Sequence, residues 1–198
     1  IAALHEKVDS LVIIPNDRLK YVTDQKITFA NAFGIADDVL KQAVTSISEL
    51  VGYSDRVIIN LDFADVSAVM KDAGRAHMGV GVASGREKAE QAALAAVASP
   101  LLETSINGAT GVLVNVTGSS DLTLDDVETA AGIVQEAANP DANIIFGATC
   151  SDELEDEMRV TVIATGFEQR ETVEETAAPT KKTAIDADDD DIFSLFNR

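Results

Sequence analysis

The chain has 198 residues, 46% of them apolar, enough for one or two domains around a sizeable core. Aromatics make up only 5% and tryptophan is absent, so the core must be aliphatic, built from Val, Ile, Leu and Ala. The formal net charge is −19, and it is not confined to the end of the chain: residues 1–167 hold 25 of the 34 acidic groups. A body this negative repels phosphate backbones and anionic lipid surfaces, which argues against nucleic-acid binding and direct membrane binding. It fits either ordinary solubility or a high-salt interior that screens the self-repulsion.

In chain order, residues 1–9 read as the end of a helix already under way. The chain is therefore expected to be the C-terminal part of a longer protein. Leu11-Val12-Ile13-Ile14 is an unbroken apolar run stopped by Pro15, the pattern of a strand buried on both faces. From about residue 28 to 51 apolar side chains recur at three- and four-residue steps: Phe29, Phe33, Ala36, Val39, Leu40, Ala43, Val44, Ile47 and Leu50. This predicts a long helix spanning residues 28–52, with Gly52 as its C-cap.

A compact α/β unit of roughly four strands and two long helices is expected over residues 53–167. A short strand at 57–59 runs into NLDFAD at 60–65, and a short helix is expected from Asp65 to about Lys71. Residues 75–84 read as a strand whose Gly79 and Gly81 mark a close backbone approach. An alanine-rich helix follows at 86–98. Then come a strand at 111–117, a helix at 122–138 capped near Asp121 or Thr123, and strands at 143–149 and 158–165. In the last strand Val160, Val162 and Ala164 alternate with Thr161, Ile163 and Thr165. Past Phe167 the pattern stops. Residues 168–188 read as a disordered linker and 189–198 as a short terminal peptide.

Cys150 is the sole cysteine. No intrachain disulfide is possible, which fits a reducing cytoplasm, and Cys150 reads as a small buried residue. His5 and His77 have no partners at metal-ligand spacing, and no metal site is expected on this chain. No apolar run approaches the ~20 residues of a membrane span.

Asn60, Asp62 and Asp65 are the residues most suggestive of chemistry. Two carboxylates held on a short rigid loop could orient a water for attack or bind a cation. Asp65 could equally cap the helix it begins. No capping role is expected for Asp62, an acid between Leu61 and Phe63 that must point outward.

NLDFADV resembles the catalytic loop of FtsZ, the tubulin-like cell-division GTPase. IIPNDRL at 13–19 resembles that family's last GTPase-domain strand and the loop after it, and residues 32–51 resemble its central helix. SPLLE at 99–103, GATGVLVNVTG at 108–118 and RVTVIATGF at 159–167 resemble its C-terminal domain. The resemblance implies the end of a Rossmann-like GTPase domain at 1–27, a central helix at 28–52 and a C-terminal activating domain at 53–167.

It also implies roles. Asn16 would contact guanine, Phe33 would stack on it, and Asp37 would accept from its N1–H and amine; plain helix packing is the alternative for Phe33. Asp62 and Asp65, with Asn60, would act in trans on the γ-phosphate bound by the next subunit of a head-to-tail polymer, with GTP and GDP as substrate and product and Mg²⁺ in the full-length protein. Such a heterologous contact generates filaments.

The departure from the family is the phosphate-binding half. No glycine-rich phosphate loop is present, so the chain alone is expected to be inactive. The terminal peptide, with Ile192, Phe193, Leu195 and Phe196 after four aspartates, would dock on a membrane-anchoring division adaptor; a solvated acidic tail is the alternative. The implied location is the cytoplasm, at the mid-cell division ring. Two further readings stay open: a non-catalytic module of the same fold that caps polymers or binds an adaptor, and an unrelated small-molecule-binding α/β domain.

Overall fold

The computed structural model describes residues 2–21, 28, 31–52, 57–102, 104–152 and 154–167. Phe29, the expected linker at 168–188 and the terminal peptide with Ile192, Phe193, Leu195 and Phe196 lie outside the described residues.

The strands are β1 (Ser10–Val12), β2 (Val57–Ile59), β3 (Gly74–Ser84), β4 (Gly111–Gly118), β5 (Asn143–Cys150) and β6 (Glu157–Thr165). They form one sheet in the order β1-β3-β6-β4-β5-β2. β6 runs antiparallel to both β3 and β4, while β4 and β5 are parallel and joined through a helix. The roughly four-stranded expectation describes the centre, β3-β6-β4-β5; the sheet is extended at its two edges by three-residue strands. β1 is one of those edges, parallel to β3, and its residues are half-buried rather than covered on both faces. An edge strand has a neighbour on one side only, so an apolar run there does not require double burial.

The helices are α1 (Ala2–His5), α2 (Ala32–Val51), α3 (Phe63–Met70), α4 (Lys88–Val97) and α5 (Leu124–Ala137). They cover both faces of the sheet, and alternation along the central strands fills two cores. Val112, Val114 and Val116 of β4 and Val160, Val162 and Ala164 of β6 pack with Ala92, Ala93 and Ala96 of α4 and with Val127, Ala130 and Val134 of α5. Leu113, Ile163 and Met78 face the other way, onto Val39, Ala43 and Leu50 of α2 and Val66 and Val69 of α3. The expected alternation in β6 holds, with both of its faces buried.

Alanines in α4 meet glycines in β3. A Cβ on Gly81 would stand 2.0 Å from the Ala92 carbonyl oxygen, and one on Gly79 2.2 Å from that of Ala96. The helix backbone rests directly on the strand, as the glycine pattern predicts. Thr123 caps α5 through a reciprocal box: its Oγ1 accepts from the Asp126 N–H at 3.2 Å and its own N–H donates to Asp126 Oδ2 at 3.0 Å.

The other candidate for that cap, Asp121, turns instead to Lys88. Lys88 lies in the first turn of α4 with its side chain only 7% exposed, its Nζ 2.7 Å from Asp121 Oδ2 and 3.4 Å from Asp156 Oδ1. Ser119 Oγ also donates to Asp121. The hydrogen bond from Lys88 holds the Asp121 carboxyl below the usual carboxylate range, and that same bond raises Lys88 above the ordinary lysine value against the opposing effect of burial. One ammonium thus fastens α4 to the β4–α5 and β5–β6 connections.

Helix α2 is held on the sheet by polar as well as apolar contacts. Ser46 Oγ donates to Thr161 Oγ1 at 3.2 Å, and Asn115 Nδ2 donates to the Ser46 carbonyl at 3.4 Å. Buried polar pairs of this kind cost desolvation if misaligned, so they favour one placement of the helix over its neighbours. Its apolar stripe is wider than the face it buries. Val39, Ala43 and Leu50 are inside, while Phe33, Leu40 and Val44 are 80%, 52% and 67% exposed. The sequence expectation treats all of these as one packing stripe; only the sheet side is packed. Cys150 is half-buried rather than internal, its Sγ 3.7 Å from the Ser119 carbonyl oxygen. His77 is buried, edge-on to Phe167 with ring centroids 4.7 Å apart. No helix of the described residues is long and apolar enough to cross a membrane.

Candidate functional site

The NLDFAD segment links β2 to α3. Leu61 points into the core with Leu50 and Val66, and its N–H donates to the Leu50 carbonyl at 3.2 Å. The loop is thereby tied to the last turn of α2. Asp62 follows with extended backbone and is the N-cap of α3. Its Oδ1 accepts from the Asp65 N–H at 2.9 Å, and Asp65 Oδ2 accepts from the Asp62 N–H at 3.2 Å.

This corrects the sequence reading twice. The helix begins at Phe63 rather than at Asp65, and Asp62 has a structural role of its own. The signal was present in the sequence: an Asx residue followed three positions on by an acid is a capping box. The box uses one oxygen of each carboxylate and holds both acids, exposed, on one rigid turn beside the exposed Asn60. Between them Phe63 is 75% exposed. Asn60, Asp62 and Asp65 are therefore brought together as expected. A pair of fixed carboxylates projecting from a tip can orient a water or accept its proton if a second molecule supplies the electrophile.

The second predicted set lies elsewhere. Phe33 and Asp37 are one turn apart on α2, both exposed, so they share a face. Asn16 is exposed and opens the 3₁₀ turn Asn16–Tyr21. That turn is anchored by Leu19, buried with Val39 and Ala43, and by Arg18, whose Nη1 donates to the Leu102 carbonyl at 2.9 Å and the Pro100 carbonyl at 3.3 Å. Among the described residues nothing packs over Phe33, which is 80% exposed.

Phe33 and Asp37 sit at the opposite end of one helix from the loop. Phe33 and Asp37 are near the start of α2 and the loop is bonded to Leu50 at its end, a separation of about 25 Å at 1.5 Å per residue. One small ligand cannot touch both sets in the same chain. Among the described residues no group of three or more His, Cys, Asp or Glu side chains is arranged to hold a metal ion.

A mixed sheet with α2 and α3 on one face and α4 and α5 on the other, entered through a long helix that carries an acidic loop at its end, is the FtsZ/tubulin-like fold. Comparison with known proteins agrees. Residues 74–168 match the family described as FtsZ family, C-terminal domain. The structure is similar to an empty FtsZ dimer from M. jannaschii, with 40% identity, a TM-score of 0.79, and 84% of this chain and 48% of that one covered. It is similar to a mutant of M. jannaschii FtsZ at 40% identity and a TM-score of 0.78, covering 84% of this chain and 49% of that one. A protofilament of TubZ from Bacillus thuringiensis serovar israelensis shares the fold at 14% identity and a TM-score of 0.60, covering 80% of this chain and 42% of that one. The chain belongs to the FtsZ family, and it spans about half the length of the solved FtsZ structures it matches.

Proposed function

We propose that this chain supplies the activating half of a GTPase site shared between subunits of a head-to-tail division filament. Asp62 and Asp65, with Asn60, orient the water that attacks the γ-phosphate of GTP bound by the neighbouring subunit. Asn16, Phe33 and Asp37 contribute guanine contacts at the opposite end. The observation that carries this reading is the separation of Phe33 and Asp37 from the loop acids along α2: each set is incomplete, and on this reading stacking identical subunits end to end brings one against the other. Phosphoryl transfer asks mainly for positioning, which a capped loop on a rigid helix provides.

The uncovered stripe of Phe33, Leu40 and Val44 supports it too, because a row of exposed apolar side chains marks a surface built to be covered. On this reading the cellular setting is the cytoplasmic division ring, and the terminal peptide with Ile192, Phe193, Leu195 and Phe196 is the attachment point for a membrane-anchored adaptor.

Adding the chain, well below one equivalent, to assembling intact FtsZ tests the proposal. A chain that offers its loop to a terminal subunit but cannot extend the filament lowers polymer mass by light scattering and by sedimentation. Unchanged polymer mass, with no chain in the pellet, would refute head-to-tail docking. Docking without any effect of the loop acids on GTP turnover would favour the non-catalytic capping module.

A further inference from the structure

We propose that Gly147, in the middle of β5, is a positioning residue for the catalytic loop: its missing side chain is the seat on which Leu50 and the base of the loop rest. The proposal rests on the function proposed above. Gly147 is buried at the edge of the sheet's centre, opposite Asn115 of β4. A Cβ built on it would lie 2.5 Å from Leu50 Cδ2, 3.2 Å from the Ile59 carbonyl oxygen and 3.6 Å from Leu61 Cγ. Those three neighbours are the last turn of α2, the end of β2 and the first buried residue of the loop. Leu50 is 1% exposed and cannot swing into solvent. Its carbonyl holds the Leu61 N–H, and Asp62 follows directly.

One absent methyl therefore sets the height of both the helix end and the loop above the sheet. This differs from Gly79 and Gly81, where the close neighbours are the backbone of α4, on the far face from the loop. Adding the methyl at 147 must turn or displace the tip of the buried Leu50 side chain and push back the Ile59 carbonyl by a few tenths of an ångström. The capping box is rigid, so the part of that push that reaches the backbone is passed to Asp62 and Asp65 as a unit. Misplacement of a catalytic group by about 1 Å can cost about 10²-fold in rate, so a shift of several tenths is expected to cost about tenfold.

The test titrates the chain into intact FtsZ whose own loop acids are replaced by alanine, and reads phosphate release from GTP. The wild-type chain restores turnover, rising to a plateau. Gly147→Ala is expected to lower the plateau about tenfold at an unchanged half-saturating concentration. A purely structural role would instead raise the half-saturating concentration and leave the plateau alone, which would overturn the proposal. Gly147→Ala/Leu50→Val, in which the clashing methyl is removed from the other side, is expected to recover most of the plateau.

Should Gly147→Ala fail to fold, Leu50→Ala keeps the glycine and removes the other half of the seat. A lowered plateau is expected, and full turnover from the folded Leu50→Ala chain would overturn the proposal. An Asp62→Asn/Asp65→Asn chain distinguishes failure of the positioning role from failure of the shared site. If it loses activation while Gly147→Ala keeps it, only the positioning role fails. If the wild-type chain gives no turnover, or the doubly substituted chain retains it, the shared-site reading fails and this proposal with it.

Discussion

Asp62 is both a helix cap and a candidate catalytic acid, and two substitutions separate the roles. Asp62→Ala removes the oxygen that accepts the Asp65 N–H at 2.9 Å and leaves that donor without its protein partner. Loss of an N-cap of this kind costs about 1 kcal/mol. In a domain of this size that is a fall in melting temperature of about 2–4 °C. Asp62→Asn keeps a side-chain oxygen in the same place, and Asn is as good an N-cap as Asp. Only the favourable charge at the start of the helix is lost, a few tenths of a kcal/mol and about 1 °C.

The two substitutions therefore differ in stability but agree in chemistry. Both remove the carboxylate, and loss of a general base costs about 10²-fold or more in turnover. Thermal melts followed by circular dichroism give the first quantity, and GTP turnover by loop-deficient intact FtsZ supplemented with each chain gives the second. A stable Asp62→Asn chain that does not activate is expected. A stable Asp62→Asn chain that activates as well as wild type would show that Asp62 serves only to cap α3.

Further predictions concern the frame. Gly81→Ala drives a methyl into the Ala92 carbonyl and is expected to destabilise by about 1–3 kcal/mol, whereas Gly132→Ala, in mid-α5 with nothing within 4 Å of the new Cβ, is expected to stabilise by about 0.5–1 kcal/mol; chemical denaturation reads both. Lys88→Met keeps the buried stem and removes the ammonium. Asp121 is held below its ordinary value by that ammonium, so its contribution is present above the ordinary carboxylate value and lost as pH falls through the lowered one. Lys88 is raised, so its contribution is complete below the ordinary lysine value and lost only as pH climbs through the raised one. The melting-temperature gap between wild type and Lys88→Met is expected to be widest at neutral pH and to close on the acid side; a gap that persists undiminished in acid would contradict the clamp. With a net charge of −19, melting temperature is expected to rise from low to molar KCl as screening relieves self-repulsion, and a flat or falling series would count against salt adaptation.

The sequence exposed whatever depends on local periodicity. The central strands, the alanine-rich helix, the glycines of β3 that admit a close backbone and the grouping of Asn60, Asp62 and Asp65 follow from spacing and residue type over a short stretch of chain, while the choice of Thr123 over Asp121 as cap came from the structure. Pairing across the chain was hidden. Nothing near residues 10–12 announces that they extend the sheet beside β3, and nothing near Lys88 announces Asp121 and Asp156. One hint for Lys88 existed: it lies four residues before Ala92, on the buried side of α4. The apolar stripe of α2 was legible as a stripe but not as two faces, because periodicity says which side chains align and not what covers them. Gly147 lay in a strand with no turn or special backbone angle to mark it, and its importance comes from Leu50, Ile59 and Leu61 meeting there. The expected guanine contacts of Asn16, Phe33 and Asp37 came from family resemblance; the structure adds the exposure of all three and the distance of Phe33 and Asp37 from the loop.

The central claim is that the loop acids of this chain act on a nucleotide held by another subunit. The direct measurement is GTP turnover by intact FtsZ lacking its own loop acids, with and without the wild-type chain and an Asp62→Asn/Asp65→Asn chain. Neither partner alone is expected to turn over GTP; mixing with the wild-type chain gives saturable turnover, and the doubly substituted chain gives none although it docks equally well. Equal turnover from the wild-type and doubly substituted chains, or none from the wild-type chain while it sits on the filament end, would contradict it.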